Sequence, residues 1–145
     1  MRRIDDLVAY QFAVEFKLEV YRIVNESADA QHAYKYKDQL LDAASGIEAC
    51  LAEGFARFLP GEFGQFIRYA LGSLGEAETR LGDGVARGYF LATTCATALT
   101  WGRRCRGASR ALLASQRRRL ENEKRQKDAV NKRRRSHTGD GTRER

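Results

Sequence analysis

Apolar residues recur at steps of three and four through most of the chain, the spacing that aligns one face of an α-helix. The first such stretch runs from Asp5 to about Glu26. Leu7, Tyr10, Val14, Leu18 and Tyr21 form its stripe, and Phe12, Phe16 and Val20 widen it. Asn25, Ser27 and Asp29 then interrupt the pattern with side chains that compete for backbone hydrogen bonds, which predicts a turn. A second stretch, about Ala33 to Ala56, sets Leu40, Ala44, Ile47, Leu51 and Phe55 on one face, with Asp38, Asp42 and Glu48 elsewhere. Pro60 disfavours helical dihedrals in the residue before it and suits the first turn of a new helix, so a break is expected near Arg57 to Leu59.

From Pro60 to about Arg87, Phe63, Ile67, Ala70, Leu74, Ala77 and Leu81 alternate steps of four and three, a heptad seam. The same segment carries Gly64, Gly72, Gly75, Gly82 and Gly84. Each costs up to ~1 kcal/mol against Ala in a helix interior. Close approach of a neighbouring helix at Gly72 and Ser73 would compensate, while Gly82, Gly84 and Gly88 suggest fraying toward a turn. After Gly88, Tyr89 and Phe90 a fourth helix is expected, capped by Thr93 or Thr94. Its inner face reads Cys95, Ala98, Gly102, Cys105, Ser109 and Leu112, flanked by Leu99, Trp101 and Leu113. The helix is expected to continue through Leu120 and Glu121, with Glu121 and Arg125, and Glu123 and Lys127, spaced for ion pairs. Beyond Asn131, the basic run and Gly139 and Gly141 suggest disorder.

Short links force successive helices to run in opposite directions. The pattern therefore predicts an all-α, antiparallel up-and-down four-helix bundle over residues 1–116 and a basic, partly disordered extension over 117–145. Sustained two-residue alternation is missing from the sequence, and its β-branched residues are scattered.

Charge changes this picture at one end only. The 145 residues carry a net charge of +7. Residues 1–116 hold 14 Lys plus Arg and 14 Asp plus Glu, whereas residues 117–145 hold 12 and 5, so the whole excess lies in the extension. No apolar run approaches the roughly 20 residues that span a bilayer. Met1 to Leu18 is broken by Asp5, Asp6, Glu15 and Lys17, unlike a secretory signal, and a cytoplasmic location without membrane contact is expected. Cys50, Cys95 and Cys105 fall inside helical segments without metal-ligand spacing and read as reduced thiols in or near the core.

Around the second and third segments the chain reads Ala52, Glu53, Gly54, Phe55, Ala56, Arg57, then Glu62, Phe63, Phe66, Ile67, and Ala70, Leu71, Gly72, Ser73. With Asp6, Leu7, Tyr10, Gln11 and Ala13 at the start and Gly88, Tyr89 and Phe90 at the close, this resembles the ribosomal RNA intervening-sequence proteins. The likeness covers about residues 5 to 90. It implies a four-helix bundle that assembles as a homopentamer, without assigned enzymatic activity, from genes often found in insertions within ribosomal RNA genes. Packing and assembly positions implied in this way are Tyr10, Glu53, Gly54, Phe55, Arg57, Phe63, Phe66, Gly72 and Ser73. The chain also looks like the pentameric accessory proteins of diversity-generating retroelements, which implies a reverse transcriptase as a possible partner. It departs from many relatives in the second helix, where Leu41, Asp42 and Gly46 to Cys50 replace a basic pair and a Ser-Ile-Pro-Ser-Asn stretch.

Catalytic constellations are weak. Glu53, Glu62, Glu76 and Glu78 have no Glu-x-x-His partners, neither histidine adjoins a nucleophile motif, and the glycines lack the Lys and Ser or Thr of a phosphate loop. No enzyme activity, metal or cofactor is expected. The extension is the candidate for nucleic acid, RNA before DNA. Arg117, Arg118, Arg119, Lys124, Arg125, Lys127, Lys132, Arg133, Arg134 and Arg135 can neutralise phosphates without reading bases. Five such tails on one ring would place roughly +35 together, an avidity effect. The alternative is a purely structural oligomer with a solubilising tail.

Overall fold

A computed structural model describes residues 3–139. Five helices follow in order: α1 (Val8–Asn25), α2 (Ala28–His32), α3 (Tyr34–Arg57), α4 (Pro60–Ala86) and α5 (Ala96–Thr138). Short 3-10 turns, Ile4–Asp6 and Ala92–Cys95, precede α1 and α5, and no strand occurs among the described residues. The four long helices close a ring in which α1 and α4 each pack on both α3 and α5. Since the links are short, neighbours in this ring are antiparallel, the expected all-α, up-and-down bundle.

Each link has a local cause. Ser27 caps the single turn of α2 by accepting from the Ala30 N–H at 3.2 Å, and its hydroxyl donates to the Tyr89 carbonyl at 2.9 Å. Between α3 and α4, Phe58 adopts a left-handed conformation (φ 66°), Leu59 is extended, and Pro60 enters the first turn of α4. At the end of α4, Gly88 (φ +80°) lets the Tyr89 N–H reach the Gly84 carbonyl and its own N–H reach that of Val85. This paired closure needs a left-handed residue, and glycine adopts it without strain. The expected threonine cap does not form. Ala92–Cys95 makes a 3-10 turn instead, and α5 starts at Ala96 without a side-chain cap.

The α4 seam is buried at every expected position, from Phe63 to Leu81. In α3, Leu40, Ala44, Ile47 and Leu51 are buried, with Phe55 partly so. The α1 stripe is rotated from its expected place. Ala9, Ala13, Phe16, Val20, Ile23 and Val24 face the core, whereas Val14 is half-buried and Leu18 is 51% exposed. The first turns of that inner face are carried by the small Ala9 and Ala13, and the larger Tyr10 and Val14 beside them dominated the apolar pattern there. Small residues also serve α5, where Ala98, Gly102, Cys105 and Ser109 admit the Phe16 ring from α1 and Leu74 from α4.

Glycine packing corrects a second expectation. A side chain at Gly72 would meet nothing within 4 Å, so the expected close approach of a neighbouring helix holds only at Ser73, which lies against Gly46 of α3. The close approaches are at Gly54, whose added Cβ would lie 2.7 Å from Phe66 Cβ, and at Gly84, against Tyr36 and Phe90. Gly84 is therefore a packed helical residue, not a frayed end. Ion pairs then tie helices together: Lys17 to Glu48 joins α1 to α3, and Arg106 to Glu78 joins α5 to α4.

Candidate nucleic-acid interface

Helix α5 has two halves of different character. From Ala98 to Gln116 it buries about one residue per turn against α1 and α4. From Arg117 onward every described side chain is exposed except Leu120 and Glu123, which are partly covered. At 1.5 Å per residue the part beyond Gln116 is about 33 Å long. No glycine or proline lies between Gly107 and Gly139, and Arg, Lys, Gln, Glu and Ala are good helix formers. The expected end of the helix at Asn131 is therefore passed. Lys132, Arg133, Arg134 and Arg135 are helical, and the Ser136 and Thr138 hydroxyls donate back to the Arg133 and Arg134 carbonyls within the last turns. Gly141, part of the same expectation, lies outside the described residues.

All ten expected phosphate-binding residues sit on this rod. Arg117, Arg118, Arg119, Lys124, Arg125, Lys127 and Lys132 to Arg135 point around its whole circumference, as about 100° per residue dictates. Among the described residues none of them has a carboxylate within 4 Å; the nearest polar partner of Arg119 is Gln116, at 3.3 Å. The ion pairs expected between Glu121 and Arg125 and between Glu123 and Lys127 are not formed. These are long side chains in open solvent, where holding one geometry costs as much as such a pair returns. On the bundle the pattern differs: Arg22, Arg57, Arg80, Arg87 and Arg106 bond to glutamate or aspartate, while Arg68 reaches only the Gln65 side chain.

Three arginines extend the cationic surface back onto the bundle. Arg103, Arg104 and Arg110 are exposed on the outer face of α5, and none is ion-paired among the described residues. Arg103 donates to the Thr100 hydroxyl at 3.2 Å, and the Arg104 guanidinium lies 5.0 Å over the Trp101 ring. The sequence did carry a signal for them: residues 96–116 contain four arginines and no acid. The balanced total for residues 1–116 concealed it.

The packing positions lie at the other helices. Glu53 and Arg57 form the i to i+4 pair at 2.9 Å, and Arg57 covers the Phe66 ring at 5.1 Å. Phe55 and Phe63 meet edge to face, 6.3 Å between centroids. They line a cleft of about 260 Å³ with Phe58, Leu112 and Arg119, where α5 leaves the bundle. Tyr10 is half-buried on α1. Burial pushes the Cys50 and Cys95 thiols up and that of Cys105 to about 11, so all three stay protonated at neutral pH and are poor nucleophiles. No described helix is long and apolar enough to cross a membrane.

Residues 5–99, from the turn before α1 to the first residues of α5, match the family model of the 23S rRNA-intervening sequence protein. The chain belongs to that family. Comparison with curated proteins gives no match. The intervening-sequence match takes in α1 to α4 and stops at Leu99, so Arg103 and every cation beyond it lie outside the matched residues.

Proposed function

We propose that this intervening-sequence family member is a non-enzymatic, self-assembling bundle, pentameric in solution, that binds nucleic acid through the cationic outer half of α5. The observation that carries the reading is the contrast in pairing. Six of the ten described arginines up to Gln116 are ion-paired to carboxylates, whereas none of the ten cations from Arg117 to Arg135 is. Unpaired, clustered guanidinium groups are the standard means of gathering phosphates. Self-assembly is supported by the displaced α1 stripe, which leaves Val14, Leu18 and Tyr21 incompletely covered within one chain.

The test compares the full chain with a chain ending at Gln116, measuring fluorescence anisotropy of labelled RNA and DNA oligonucleotides at low salt. The full chain is expected to bind and the shorter one to lose most of its affinity. Binding by the full chain should weaken with salt, with a log–log slope of about 0.9 per phosphate neutralised on duplex DNA. Equal binding by the two chains, or no binding by the full one, would return the extension to a solubilising role.

A further inference from the structure

Which nucleic acid the extension takes can be read from its shape, granted the reading above that it binds one. We infer that the α5 extension seats lengthwise in the major groove of B-form duplex DNA, with Asn122, Gln126, Ala129 and Arg133 turned toward the base edges. This departs from the sequence-based preference for RNA.

Three observations converge on it. The first is fit: an exposed helix with its side chains measures about 10–12 Å across, and the major groove of B-DNA is about 12 Å wide. The A-form groove of duplex RNA is too narrow and deep for side chains to read. The stretch from Asn122 to Arg133 is about 17 Å long, short enough for a straight rod to stay in the winding groove before the groove turns away. The second is circumference. A helix lying on a nucleic-acid surface meets phosphates on one side, whereas a helix in a groove meets them on both walls. Here Arg118, Arg125 and Lys132 fall on one flank of the Asn122 face and Arg119 and Arg134 on the other, by about 100° per residue, while Lys127 lies toward the back.

The third is the distribution of carboxylates. Glu121, Glu123 and Asp128 all project about a quarter-turn or more away from the centre of the Asn122 to Arg133 face. That face carries only residue types suited to base edges: amides that pair with adenine, a guanidinium that pairs with guanine, and a small Ala129 that permits close approach. It also points away from the bundle, because the buried line of α5 through Cys105, Ser109 and Gln116 lies about a third of a turn from it.

The experiment uses the full chain and two substitutions of identical charge change. Asn122→Asp places a carboxylate on the proposed inner face, and Asn131→Asp places one on the opposite side of the same exposed rod. Affinities are measured for a 24-base-pair DNA duplex, the matching RNA duplex and the single strands. Groove seating predicts that the DNA duplex is preferred over the RNA duplex by about tenfold, the scale of one good base contact. It also predicts that Asn122→Asp loses about tenfold on that duplex and Asn131→Asp about twofold or less. Dimethyl sulfate should find guanine N7, in the major groove, protected by the full chain and adenine N3, in the minor groove, still reactive. Equal losses from the two substitutions, equal affinity for RNA and DNA duplexes, or an unprotected N7 overturns the inference while leaving nucleic-acid binding intact. Absence of binding to every probe removes the underlying reading as well.

Discussion

Gly84 illustrates how one hydrogen atom in place of a methyl group shapes the bundle. The Tyr36 hydroxyl and Phe90 ring occupy the space a side chain would need there, and the Tyr36 O–H donates to the Arg80 carbonyl at 2.6 Å. Gly84→Ala is expected to destabilise the fold by about 1–3 kcal/mol, since overpacking outweighs the better helix propensity. Gly72→Ala, with open space around it, is expected to stabilise by about 0.5–1 kcal/mol. Urea denaturation of the two variants checks both signs. No pattern in the sequence separates these glycines, because each lies in the same helix at similar spacing and only the partner helix distinguishes them. Tyr36 also gives the fold an alkaline limit. Burial, and then the nearby Asp83 carboxylate, push its hydroxyl up to about 12. The unfolded chain releases that proton near pH 10, so the stabilising effect is full below pH 10 and lost as pH rises toward 12. Cys105, raised by burial from 9.0 to about 11, acts in the same direction starting near pH 9. Thermal melts from pH 8 to 12 should show a falling midpoint, and Tyr36→Phe should flatten the upper part of that fall.

Among the helices, the buried seam of α4 was legible in the sequence and that of α1 was not, for a physical reason. In α4 the large apolar residues coincide with the buried line from Phe63 to Leu81. In α1 the buried line runs through Ala9 and Ala13, and the bulkier Tyr10, Val14 and Leu18 sit beside it. Bulk was a poor guide to direction there, because neighbouring α5 presents glycine, alanine, cysteine and serine and leaves room for Phe16. Under the proposed self-assembly, the residual outward stripe is the subunit contact. Leu18→Lys is expected to leave the melting temperature of dilute protein nearly unchanged and to lower the mass in solution from about five times 16.4 kDa toward a single chain. Light scattering reads that mass, and an unchanged value would place the subunit contact elsewhere. The one-turn α2 had no signal beyond Ser27, since a turn and a short capped helix look alike in five residues.

At the scale of the whole molecule, stability and charge occupy different regions. The apolar core ends with Leu113, and Gln116 is the last buried residue, so the extension adds little to the fold. A chain ending at Gln116 is expected to melt within a few degrees of the full chain, as removal of exposed surface residues predicts, while losing all of the net positive charge. Differential scanning calorimetry of the two chains tests this. The charge division and the candidate site from Arg117 to Arg135 were visible in the sequence as a simple count. The arginines at 103, 104 and 110 were masked in that count, because the acids that balance them lie on other helices; the local run of 96–116 alone would have shown them.

Helix α5 is one unbroken piece from Ala96 to Thr138, embedded among α1 and α4 at its beginning and free at its end. Mechanically this makes it a cantilever rather than a tether. A load applied near Arg135 bends or twists a stiff beam whose root is clamped by Cys105, Ser109 and the Arg106 to Glu78 strut. Were subunits to assemble and bind strands as proposed, those strands would be held at angles fixed by the bundle, as by spokes set in a hub.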